Sequence, residues 1–228
     1  MISIENLTAS YSKDKKVIDA LNLQLNHGQI HGIVGLNGSG KTTLLNVIYG
    51  LKQVDKGSIT AYGSNKYRKS ISFLETENFF YSNITGREYL RFFKNNAFDC
   101  DHWNKLFLLP LDELIDNYST GMKKKLALLG IIKQDKPIMI LDEPFNGLDI
   151  ETSRIVRTLL LKMKQDKCII ITSHIIETLT NLCDFIHYLE KGKIHFSKNK
   201  DEFAGFEKDL FDSIENKNFE IINGLIKN

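Results

Sequence analysis

The chain has 228 residues, 42% of them apolar and 25% charged, and 30 lysines and arginines against 28 aspartates and glutamates leave a net charge of +2. That length makes one large domain or two small ones, able to bury roughly 70% of the surface its unfolded chain exposes. The composition excludes a disordered or collagen-like chain, and the near balance of charge speaks against a dedicated nucleic-acid binder. In chain order, the segment up to about residue 62 reads as short strands and turns. Residues 29–34 form an apolar run that feeds a glycine-rich turn, and 41–49 then carry Leu44, Leu45 and Ile48 on one helical face with Gly50 as the stop. Residues 58–62 alternate as a half-buried strand does. The middle, about 85–136, reads as mostly helical.

Two compact apolar runs follow, at 138–141 and 168–172, of the kind seen in buried parallel strands. Between them Ile155, Val156, Leu159, Leu160 and Met163 recur at helical spacing, which predicts a helix over about 151–165. Strand, helix and strand then make one parallel crossover unit. Residues 184–196 read as a hairpin around Glu190-Lys-Gly-Lys193, and a polar tail follows after Ser197. The three cysteines, Cys100, Cys168 and Cys183, are far apart and form no paired motif, which fits a reducing compartment rather than a disulfide framework or zinc site. No secretory leader is read at the start, and no apolar run approaches the roughly 20 residues that cross a bilayer.

The strongest local signal is Gly35-Leu-Asn37-Gly38-Ser39-Gly40-Lys41-Thr42, placed between a strand and a helix. Gly38 and Gly40 let the backbone curl until its N–H groups converge as an anion nest. The helix opening at Lys41 adds the positive end of its dipole. Lys41 suits the β- and γ-phosphates of a nucleotide, the Thr42 hydroxyl suits Mg²⁺, and Thr43 adds a donor for the α-phosphate. A glycine-rich turn that merely caps a helix is the bland reading, but turn chemistry does not require lysine followed by threonine. At the end of the 138–141 strand stand Asp142 and Glu143. Ligands of open α/β sheets sit at that end. Adjacent strand side chains diverge, so the two acids take different tasks: Asp142 for Mg²⁺ and Glu143 as general base toward water.

With these motifs in place, the chain resembles the ATP-binding subunits of ABC transporters over nearly its whole length. Tyr11 resembles the aromatic residue that stacks on adenine. Tyr118-Ser119-Thr120-Gly121-Met122 resembles the signature motif, Pro144 follows Glu143 as in the family, and Asn146-Gly-Leu-Asp149 resembles the loop after it. His174 resembles the histidine that contacts the γ-phosphate. The resemblance implies an α/β fold: an ATPase core built around a phosphate-binding loop, with an antiparallel β part and an inserted helical subdomain. It divides the chain into a core (1–84 and 137–196), a helical part (85–136) and a tail (197–228). It implies ATP and Mg²⁺ as ligands, and a dimer in which Ser119 and Gly121 of one subunit face the γ-phosphate held by the other. It further implies a separate integral-membrane permease and a peripheral place on the cytoplasmic face of the membrane.

Two motifs depart from the family pattern. The signature carries Thr120 and Met122 in place of glycine and glutamine, and its Tyr-Ser-Thr-Gly-Met run followed by lysines is similar to the drug, bacitracin and lantibiotic exporter branch. Where the family has a glutamine near the metal and the permease, this sequence has Thr76, flanked by Glu75 and Glu77, either of which is a candidate replacement. Phe79, Phe80 and Tyr81 are candidates for a permease groove or for core. Lys123, Lys124 and Lys125 read as a solvated helix face, and Trp103 and Phe107 as packing of the helical part. A soluble ABC ATPase of translation or DNA repair, and a non-hydrolysing nucleotide-binding module, are the alternative functions.

Overall fold

The computed structural model describes residues 1–12 and 15–205; the tail beyond 205 and the side chain of Tyr11 lie outside what is described. Within the described residues nine strands and six α-helices follow one another: β1 (Ile2–Ser12), β2 (Lys15–Leu25), β3 (Ile30–Val34), α1 (Lys41–Tyr49), β4 (Lys56–Ala61), β5 (Ile71–Leu74), α2 (Gly86–Arg91), α3 (Cys100–Asn104), α4 (Thr120–Gln134), β6 (Ile138–Asp142), α5 (Ile150–Met163), β7 (Cys168–Thr172), α6 (Ile176–Thr180), β8 (Phe185–Glu190) and β9 (Lys193–Asn199). No helix among them is long and apolar enough to cross a membrane.

A six-stranded sheet in the order β5-β6-β7-β3-β8-β9 is parallel apart from β9, and an antiparallel sheet β2-β1-β4 lies beside it. The central strands are apolar on both faces because both faces are covered. Ile138, Ile140, Cys168, Ile170 and Ile33 face a core shared with α1 and the antiparallel sheet. Met139, Leu141, Ile169, Ile171 and Val34 face the other core, with α4 and Val156 and Leu160 of α5. The expected crossover unit is present as β6, α5 and β7, with Ile138 in register with Cys168 and Asp142 with Thr172.

Gly50 ends α1 in the left-handed region at φ 96°, where only glycine is unstrained, and its N–H bonds the Asn46 carbonyl. Lys191 and Gly192, both at positive φ, make the two-residue turn between β8 and β9. β9 runs on to Asn199, three residues past the expected end of the hairpin. The first two strands are eleven residues each, not short, because they zip together as one long ladder. The middle is less helical than its apolar spacing predicts. Asn104 clamps Leu109 by its side chain, donating to the Leu109 carbonyl at 2.8 Å and accepting from its N–H at 3.0 Å. This clamp, with Leu108 at φ 51° and Pro110 beyond, holds the segment after α3 in irregular form.

Candidate functional site

β3 delivers the chain into the glycine-rich loop, where Gly38 (φ 79°) and Gly40 (φ 110°) adopt conformations that side-chain-bearing residues avoid. Gly35 serves a different need: a Cβ there would lie 2.2 Å from the Leu189 carbonyl oxygen and 2.6 Å from Ser39 Oγ. The β8–β9 turn braces the loop, with Gly192 N–H donating to the Ser39 carbonyl at 3.1 Å. α1 starts with no side-chain cap and no acidic residue in its first turn. α2, α4 and α5, in contrast, are capped by Thr85, Ser119 and Asp149. The first N–H groups of α1 therefore stay open toward an anion. Asn37, Gly38, Gly40, Lys41, Thr42, Thr43 and Val17 line a hollow of about 350 Å³. Gly35 and Ser39 belong to the same loop but do not line the hollow, and Ser39 Oγ is buried and without a partner among the described residues. A larger hollow of about 740 Å³ beside β4 contains no acid and none of these motifs.

Lys41 Nζ donates to the Gly35 carbonyl at 2.7 Å and to that of Leu36 at 3.4 Å. Burial pulls its pKa below the usual lysine value, while Glu143 and Asp142 pull it back up. This ammonium sits between loop carbonyls and two acids that an incoming phosphate would face.

β3, β7 and β6 lie side by side, so the ends of all three converge. Thr172 pairs in register with Ile33 on one side and Asp142 on the other. Asp142 is 2% exposed. One of its oxygens accepts from the Thr42 hydroxyl at 3.1 Å and the other from the Thr172 hydroxyl. Glu143 departs from the strand at φ 48°, its N–H donating to Thr172 Oγ1 at 3.0 Å. Its carboxylate reaches His174 Nδ1 at 3.1 Å. The two acids diverge as expected, and Thr172 holds both. Sequence spacing gave no sign of that role, since a threonine ending an apolar strand is unremarkable.

The Asp142 carboxylate and Thr42 hydroxyl are hard oxygen donors that fit Mg²⁺, which takes one or two protein oxygens and completes its shell with phosphate and water. Among the described residues no group of three histidines, cysteines or acids converges to hold a metal without a nucleotide.

The Tyr118–Met122 run lies apart from this hollow. Tyr118 is buried and donates to the Pro110 carbonyl at 2.6 Å, while Ser119 and Thr120 are exposed and Ser119 caps α4 by accepting from Met122 N–H at 3.2 Å. Gly121 lies against the Gly147 carbonyl, 3.2 Å from where a Cβ would stand. Asp149, read from the sequence only as part of that loop, caps α5 and pairs with Lys125 at 3.1 Å. The cap bonds and Lys125 hold its carboxyl far below the usual range.

The solvated-face reading of the lysines fails at Lys124. The fifth residue of α4 turns inward, is 6% exposed and has no partner for Nζ among the described residues. Glu75, Thr76 and Glu77 are exposed, and neither carboxylate has a hydrogen bond or ion pair among the described residues. Phe79 (75% exposed), Tyr81 and Phe92 make an exposed aromatic cluster, whereas Phe80 packs on Tyr89. Tyr11 belongs to β1, but its contact with a base lies outside the described side chains.

A family model described as ABC transporter matches residues 18–146. An uncharacterised ABC transporter ATP-binding protein of Methanocaldococcus jannaschii is 33% identical over 212 residues, covering 88% of this chain and 78% of that protein. A bacitracin transport ATP-binding protein of Bacillus licheniformis is 31% identical over 234 residues, covering 91% of this chain and 74% of the relative. The solved structure of an ATP-binding subunit of an ABC transporter superposes with a TM-score of 0.82 at 23% identity, covering 89% of this chain and 91% of that one.

Proposed function

This chain belongs to the ABC transporter family, and from that membership we propose a division of labour among the groups that meet at its phosphate cradle. Its activity is the family's: ATP and water become ADP and phosphate, and the free energy powers transport through a separate permease. Lys41 turns from the loop carbonyls to the β- and γ-phosphates, and the open N–H groups of the loop and of α1 surround them. Tyr11 stacks on the adenine. Thr42 and Asp142 would hold Mg²⁺, the Thr42 hydroxyl keeping its proton on Asp142 while its oxygen faces the metal. The ion supplies positive charge that draws electron density from the γ-phosphate.

Glu143 accepts the proton of the attacking water. The water oxygen bonds to the γ-phosphorus as the bond to the bridging oxygen breaks, and ADP leaves with that electron pair. His174 holds the Glu143 carboxylate through its Nδ1 contact and turns its other edge to the γ-phosphate.

Ser119 and Gly121 do not line the hollow around Lys41, and the exposed start of α4 is free to meet a second subunit. In this reading two copies, or this chain and a related one, enclose ATP between cradle and signature. The core is 1–84 with 137–196, the helical part is 85–136, and the exposed cluster of Phe79, Tyr81 and Phe92 spans the border between them and faces the permease. The chain works on the cytoplasmic face of the membrane. The similarity to the bacitracin transport protein supports export as the direction.

The run of contacts from Thr42 through Asp142, Thr172 and Glu143 to His174 carries this reading, because it joins metal, base and phosphate groups beside an uncapped helix end. The test is nucleotide titration and phosphate release with Mg²⁺, comparing wild type with Lys41→Ala. Wild type saturates with ATP and turns over, and Lys41→Ala loses both. A wild type without ATP affinity overturns the reading.

A further inference from the structure

A second buried cation lies outside the cradle described above. Lys124 lies on α4, a 15-residue helix capped by Ser119, and its ammonium is buried with no hydrogen-bond partner among the described residues. It lines a hollow of about 250 Å³ together with Thr76, Glu77, Asn78, Lys123 and Asn146. An ammonium offers three donors and accepts nothing, so leaving one buried and unpaired is costly unless an anion completes it. Burial lowers the Lys124 pKa, while Asp142 and Glu143 are the charges that pull it upward. Asn146, which lines the same hollow, donates its N–H to the Glu143 carbonyl at 3.3 Å, so the hollow that Lys124 lines adjoins the turn that carries the catalytic acid. Glu77, though it lines the same hollow, is exposed and forms no ion pair with Lys124.

We propose that Lys124 binds the terminal phosphate of the ATP held by its own subunit, joining α4 to the nucleotide and making the site prefer a triphosphate over a diphosphate. The inference rests on the ATP-site reading above. A charge-assisted bond to a phosphate present only in ATP strengthens ATP binding and leaves ADP binding alone. Because the ammonium is unpaired without nucleotide, its removal costs the empty fold nothing.

The experiment titrates full-length wild type, Lys124→Met, Lys124→Arg and Lys41→Ala with a non-hydrolysable ATP analogue and with ADP, each with Mg²⁺, and records melting without nucleotide. Lys124→Met, similar in volume, is expected to weaken analogue binding tenfold or more and ADP binding less than twofold, with a melting temperature equal to wild type or higher. Lys124→Arg is expected to recover most of the analogue's advantage. An unchanged ratio of the two affinities in Lys124→Met overturns the inference, as does an equal loss of both or a lower melting temperature with the ratio kept. Failure of wild type to bind either nucleotide, with Lys41→Ala indistinguishable from it, overturns the ATP-site reading itself, a result separate from an unchanged Lys124→Met.

Discussion

Replacing Thr172 by valine changes shape very little, yet it removes one hydroxyl that serves two partners. That hydroxyl donates to Asp142 and accepts the Glu143 N–H at 3.0 Å, and Thr172 is fully buried. A hydrogen bond to a buried charge contributes about 1.5–3 kcal/mol, and a buried N–H left without an acceptor costs about 1–3 kcal/mol. Asp142 keeps its bond from Thr42, so Thr172→Val is expected to lose about 3–5 kcal/mol in unfolding free energy. Thr172→Ser keeps the hydroxyl and gives up one methyl group, a loss of about 1 kcal/mol. The same hydroxyl aims Glu143, so phosphate release should fall about 10–100-fold in Thr172→Val, the range seen when a group that orients a ligand is removed. Thr172→Ser should stay within a few-fold of wild type. Urea unfolding and steady-state phosphate release on the three proteins decide the matter. Equal stability and equal turnover for the valine and serine variants would refute the two-partner role of Thr172.

Glu143→Gln keeps the shape of the base but not its proton affinity, so it should still bind ATP, hold a dimer together and lose about 10²–10⁴-fold in turnover; turnover near wild type removes Glu143 from that role. Gly35→Ala places a Cβ 2.2 Å from the Leu189 carbonyl, so the loop must move and ATP affinity should collapse in a binding titration while the far-UV circular dichroism stays native. His31 and His187, buried and 3.1 Å apart, have pKa values lowered by burial to about 4 and about 3. The unfolded rings take protons below about 6.5 while the folded rings do not, so stability is present above that pH and falls as acid is added. From pH 7.5 to pH 5 the loss is about 2 kcal/mol for each ring. Urea midpoints should drop accordingly, and His187→Phe should shrink the drop; a midpoint independent of pH over this interval removes the pair as its source.

The elements that could be read from the sequence are those whose cause is local. Gly50 stops α1 because glycine alone rests at φ 96°. The Lys191-Gly192 turn sets the hairpin, and a run such as 168–172 has no polar face to give to water. The phosphate loop belongs to the same class, since its glycines and lysine are contiguous. What stayed hidden depends on partners far along the chain. Thr172 gained its two bonds from strand register, thirty positions from Asp142. Phe93 packs so closely on Gly130 of α4 that a Cβ there would meet it at 2.6 Å. Lys124 lies on another side of that helix, in line with the buried Ala127, Leu128 and Ile131 at three, four and seven positions on, and so turns inward although its neighbours are also lysines. The irregular stretch after α3 turned on one asparagine side chain, and side-chain clamps of that kind leave no periodic trace.

Incomplete hydrogen bonding points the same way as the motifs do. Folded proteins satisfy nearly all buried polar atoms, because each exception costs free energy. Among the described residues three buried side-chain atoms lack a partner: Gln29 Oε1, Ser39 Oγ and Lys124 Nζ. Gln29 precedes β3, at the end of the strand away from the loop, but Ser39 lies within the cradle and Lys124 lines the hollow shared with Asn146, whose N–H bonds the Glu143 carbonyl. Two of the three exceptions therefore flank the place where a phosphate chain would lie, along with the uncapped start of α1. A site that binds a transient anion must keep donors unspent in its absence, and their cost is borne by the two cores packed on either face of the sheet.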